Sequence, residues 1–78
     1  MNLSDAIRCR LKELIKYKKI TPYALSIKAG SHPSTLTYFL NGDTKMLTLD
    51  TLLHYCEALD IELYDFFMSP FFKDVQSE

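Results

Sequence analysis

Apolar residues along this chain recur three and four positions apart rather than at every second position, which predicts helices and no sheet. Ile7, Leu11, Leu14 and Ile15 make the first such stripe. Ser4 is placed to cap a helix over about residues 5–18, with Cys9, Lys12 and Lys16 projecting off the stripe. Thr21-Pro22 is a second start, because proline at the first helical position gives up an N–H that has no partner in the helix. That helix runs to about Ala29 and stops at Gly30, which can take the left-handed exit. Pro33 opens a third helix in the same way, and Gly42 closes it after Asn41. Thr48 caps a fourth, whose expected inward stripe is Leu49, Leu52, Leu53, Cys56 and Leu59. A fifth, from about Leu63 to Met68, ends before Pro70. The expected fold is therefore all-α, with five short helices in one domain.

Composition narrows the class. Seventy-eight residues leave room for one small domain, and 47% hydrophobic with 24% charged residues describes a chain that folds rather than one that stays disordered. No apolar run approaches the roughly 18 residues of a membrane span. The segment Met1–Ile7 carries Asp5 and lacks a leader's apolar stretch, so a cytoplasmic, soluble protein is expected. Cys9, Cys56, His32 and His54 match no zinc spacing, and no metal or cofactor is expected. Charge is divided unevenly. Residues 1–50 carry a net +4 and residues 51–78 a net −5, so a polyanion would meet the first part and be turned from the second.

The most informative segment is Pro22–Asn41. Two helices of about eight residues meet across Gly30-Ser31-His32, a break this short only if three conditions hold. A small residue must sit where the helices touch, and Ser26 is there. A residue in the turn must accept positive φ, and Gly30 does so. The second helix needs an apolar anchor, which Leu36 supplies opposite Leu25.

With Arg10-Leu-Lys-Glu-Leu14, Leu25-Ser-Ile-Lys-Ala-Gly30, Pro33-Ser-Thr-Leu36, Asn41-Gly42 and Leu49-Asp-Thr-Leu-Leu53 through Ala58-Leu59, the chain resembles the lambda-repressor and Cro type of helix-turn-helix proteins. The resemblance covers roughly Arg10–Phe67. It implies a helix-turn-helix domain over residues 1–69, followed by a tail, 70–78, that contributes to a dimer. It also implies sequence-specific binding of double-stranded DNA, usually by a homodimer and usually in repression. At about 100° per residue, Leu36, Phe39 and Leu40 share the inner face of the third helix, and Ser34, Thr37, Tyr38 and Asn41 the outer one. The resemblance implies that this outer face meets base edges in the major groove through Ser34, Thr37 and Tyr38, with Pro33 at the groove-facing start of the helix and Thr35 at its margin. Asn41, Lys45, Thr21, Arg10, Lys28 and His32 are expected at phosphates.

The chain departs from the family at four residues, and the outer stripe of its third helix lacks arginine, lysine and glutamine. Pro22 stands where glutamine is frequent, and Ser31 where an aliphatic residue usually anchors the turn. Ile15 and Leu40 replace an arginine and a glutamate that often pair, and the double replacement leaves no charge stranded. The two side chains are expected to touch.

Phe66, Phe67, Phe71 and Phe72 crowd the C-terminal stretch; they either pack at home or form a twofold contact, and the dimer is the stronger expectation. A protein-interaction or antitoxin-like module that keeps the same fold is the competing function. Enzymatic activity is not expected, since no nucleophile–base pair, carboxylate pair or phosphate-cradling glycine loop is present.

Overall fold

A computed structural model describes residues 1–44 and 46–77. Its helices are α1 (Leu3–Tyr17), α2 (Pro22–Ala29), α3 (Pro33–Leu40), α4 (Leu49–Ala58) and α5 (Leu63–Phe67), followed by a single 3₁₀ turn at Pro70–Phe72. The all-helical architecture and the order of elements are those the apolar spacing predicts. None of the described helices is long and apolar enough to cross a membrane.

Local chemistry explains most boundaries. Thr21 Oγ1 accepts from Ala24 N at 3.0 Å and Thr48 Oγ1 from Thr51 N at 3.1 Å, so both predicted threonine caps are in place. The cap on α1 is Asn2 instead of Ser4: Asn2 Oδ1 accepts from Asp5 N at 2.9 Å, and the helix starts two residues earlier than expected. Ser4 is buried and donates its hydroxyl to the same Asn2 oxygen at 3.2 Å.

Four helices end in one hydrogen-bond pattern, a left-handed residue whose successor donates back across the last turn. Gly30 (φ 74°) and Gly42 (φ 85°) fill that position after α2 and α3. After α1 and α4 it falls to Lys19 (φ 55°) and Asp60 (φ 60°), where glycine would be easier. In both cases an isoleucine comes next and is partly buried. Ile20 and Ile61 follow directly, donate to Ile15 O and Cys56 O, and pack against the core.

The core joins Ile7, Leu11, Leu14 and Ile15 of α1 to Leu25, Leu36, Phe39, Leu40, Leu52, Tyr55, Cys56, Leu59 and Phe66. Ile15 and Leu40 both lie in this cluster, each 8% exposed. Cys56 is buried as expected, and desolvation pushes its thiol up to about 11, which keeps it protonated and unreactive at neutral pH. The expected stripe of α4 needs correction. Leu49 is 70% and Leu53 37% exposed, while Tyr55 and Ala58 take inward places. The sequence offers two overlapping stripes here, and tyrosine can occupy the inner one because its hydroxyl finds Ser31 Oγ at 3.2 Å.

The C-terminal aromatics need a second correction. Phe66 is fully enclosed, and Phe67 and Phe72 pack on it and on each other, with ring centroids 4.9–5.9 Å apart. An enclosed ring cannot form a dimer contact, so Phe66 is excluded from one, and its two neighbours are largely spent within the chain. Phe71 is half-buried. The segment after Pro70 folds back on α1, where Leu3 N donates to Gln76 O at 3.0 Å and Gln76 N to Met1 O at 3.2 Å.

Candidate nucleic-acid interface

Helices α2 and α3 are joined by the three residues read from the sequence. Ser26 is fully buried at their contact and bonds Pro22 O at 2.9 Å, so its hydroxyl is satisfied within the helix. Gly30 takes the left-handed conformation with nothing within 4 Å of where a Cβ would stand, so it is conformation and not space that calls for glycine. Ser31, lacking an aliphatic side chain, is tied to Tyr55 of α4 by the hydroxyl pair. A polar bond thus replaces an apolar plug.

His32 caps α3. Its Nδ1 accepts from Ser34 N at 3.2 Å and lies 2.7 Å from Ser34 Oγ. The bond from Ser34 N uses the lone pair of Nδ1. Removing this cap with His32→Ala should lower stability by about 1 kcal/mol, and His32→Asn should restore most of it in urea unfolding. Equal midpoints for His32→Ala and the parent chain would show that the ring is not capping.

Leu36, Phe39 and Leu40 are buried, as predicted for the inner face of α3. Thr35, Thr37, Tyr38 and Asn41 are exposed, Tyr38 to 52%. Pro33 and Ser34 at the head of the helix are half-buried. Thr21 and Lys28 are exposed at the two ends of α2, and His32 is exposed between the helices. Lys45 lies outside the described residues. Tyr23 and Ile27, one helical turn apart on the outer side of α2, are also exposed. Their one signal in the sequence is an apolar pair set off the Leu25–Ser26 face.

Arg10 does not fit the phosphate role expected of it. Its Nε donates to Phe66 O at 2.8 Å, and its two terminal nitrogens to Asp65 O and Glu13. This guanidinium closes the end of α5. Arg8, absent from the sequence expectations, does the same for α3. Its Nε donates to Phe39 O at 2.6 Å, and its terminal nitrogens to Thr44 O at 2.7 Å and Asp5 Oδ1 at 2.8 Å. The guanidinium carbon also stands 4.7 Å from the centre of the Phe39 ring. Neither arginine has a sequence signature, because the acceptors are backbone carbonyls 31 to 56 residues downstream.

Among the described residues no group of three His, Cys, Asp or Glu side chains is placed to hold a metal ion. The exposed face of α3 offers hydroxyls, a phenol and an amide, which suit contact with a polar surface.

No curated protein and no solved structure matches the chain. A family profile described as Cro/C1-type HTH DNA-binding domain matches residues 10–68, spanning α2, the turn, α3, α4 and α5. That span includes the whole helix pair and most of the chain, which therefore belongs to the Cro/C1-type helix-turn-helix DNA-binding domain family.

Proposed function

We propose that this chain is a cytoplasmic transcriptional repressor that reads double-stranded DNA by inserting residues 33–41 into the major groove. One observation carries the reading: α3 buries Leu36, Phe39 and Leu40 while presenting Thr35, Thr37, Tyr38 and Asn41 outward. In this reading Pro33, Ser34, Thr35, Thr37 and Tyr38 face base edges, through hydroxyl bonds and contacts to thymine methyls. Asn41, Thr21, Lys28, Lys45 and His32 hold phosphates. The outer stripe of α3 carries no arginine, lysine or glutamine, so preference among sequences is moderate.

A homodimer belongs to the same reading, with two copies of α3 about 34 Å apart on one face of the duplex. With Phe66 enclosed, the apolar surface left for a twofold includes Leu49, Leu53, Tyr64 and Met68 of the α4–α5 region.

Selection of bound fragments from a genomic library, followed by gel shifts over a salt series, tests this. The selected fragments should share two half-sites about 10 base pairs apart. If about six phosphates are contacted, affinity should fall roughly a thousandfold between ~50 and ~200 mM salt. Tyr38→Ala and Ser34→Ala should change which fragments are selected, and an unchanged selection would remove the outer stripe from base reading. Isolated half-sites would remove the dimer.

The exposed Leu53, beside Glu57, Asp60, Glu62 and Asp65, favours a second reading in which the domain binds a protein, as an antitoxin-like module does. Absence of any retarded DNA at low salt would favour it.

A further inference from the structure

We propose that Arg8 is a positioning residue for DNA reading, holding the C-terminal end of α3 and the loop 41–44 at a set angle to the rest of the fold; this rests on the proposed function. Helix α3 has eight residues and no basic residue in its last turn, so nothing within it answers the partial negative charge of its final carbonyls. Arg8 supplies that charge from α1. Its side chain is 14% exposed, and its planar fork bonds two carbonyls on either side of the helix end, Phe39 O inside α3 and Thr44 O in the loop beyond. Asp5 fixes the third direction. The loop between those carbonyls contains Asn41 and the left-handed Gly42, whose N–H shares Phe39 O with the guanidinium.

The consequence is geometric. An eight-residue helix is ~12 Å long, so a tilt of about 10° about its centre shifts each end by roughly 1 Å, beyond what a direct base contact tolerates. The N-terminal end is held by the His32 cap and the Ser31–Tyr55 bond. The other end has the inward packing of Phe39 and Leu40 and the Arg8 fork. Packing sets depth; a two-carbonyl fork also resists rotation.

Arg10 provides a matched comparison. It sits two residues along α1, is 15% exposed, pairs with Glu13, and closes α5 through Phe66 O and Asp65 O. Arg8→Lys and Arg10→Lys therefore each replace a fork by a point charge at the end of a helix, but only one of those helices reads DNA.

The full chain and both variants would be measured three ways: fluorescence anisotropy on a selected and a random duplex across a salt series, urea unfolding, and amide hydrogen exchange without DNA. Arg8→Lys should reduce the preference for the selected duplex by roughly tenfold, the size of one lost base-pair preference. It should leave the salt slope unchanged and speed exchange at Gly42 and Asp43. Arg10→Lys should lose similar stability yet keep the preference. Asp5→Asn, which loosens the fork without removing it, should show a smaller loss in the direction of Arg8→Lys. An unchanged preference in Arg8→Lys overturns the proposal, as does a salt slope lower by about 1, which would make Arg8 a phosphate contact. A parent chain that prefers no duplex overturns the DNA reading itself, and the exchange rates at Gly42 and Asp43 then report separately whether the fork holds this end.

Discussion

Leu40→Glu is expected to cost about 3–5 kcal/mol, the loss that follows when one charge is left in a buried site without its partner. A domain of this size is stable by only ~4–12 kcal/mol, so the variant should lose a large fraction of its stability. The site is the one where relatives often carry an ion pair between the first and third helices. Here Ile15 and Leu40 fill it, each 8% exposed and in one core cluster. The double variant Ile15→Arg/Leu40→Glu should recover most of the loss, because each new charge then has a partner, and the non-additivity is the signature to measure. A sign in pH accompanies it. Burial raises the pKa of the new carboxyl in the folded state, so its penalty is full above that raised value, shrinks as pH falls through it, and is gone below the unfolded value of about 4.3. Urea titrations at two pH values would check both points. A single variant less than about 1 kcal/mol below the parent would mean that water reaches this position.

Phe66→Ala should rank next, at about 3–5 kcal/mol, since it removes an enclosed ring and leaves a cavity between Phe67 and Phe72. Its carbonyl still accepts from Arg10, so the loss isolates packing from the closure of α5. Phe67→Ala, at a half-buried position, should cost less. Reversal of that order in urea unfolding would contradict the assignment of Phe66 to the centre of the cluster. A change in sedimentation with no change in stability would return these rings to a dimer contact.

The parts of the fold that depend on neighbours in sequence were legible from the residues. Pro22, Gly30, Pro33 and Gly42 mark α2 and α3 to within a residue because ring closure and positive φ act locally. The inner and outer faces of α3 follow from its period, and with them the exposure of Tyr38. What escaped depends on distant partners. Asn2 and Ser4 are both good caps, and the fold-back of Gln76 onto the first residues accompanies the earlier start. Tyr55 could be turned inward only once Ser31 was available to it. Arg10 looked like a phosphate ligand because nothing in its own neighbourhood reveals that the end of α5 lies within reach. The clustered phenylalanines suggested a partner because composition does not show that three rings can enclose one another.

The bond between Ser31 and Tyr55 has an optical consequence. The chain has five tyrosines and no tryptophan, and Tyr55 is the enclosed one among Tyr17, Tyr23, Tyr38 and Tyr64, all of which face solvent. Its immobilised chromophore should dominate the near-ultraviolet circular dichroism, so the molecule carries a built-in, label-free gauge of whether the bend between its two central helices is intact.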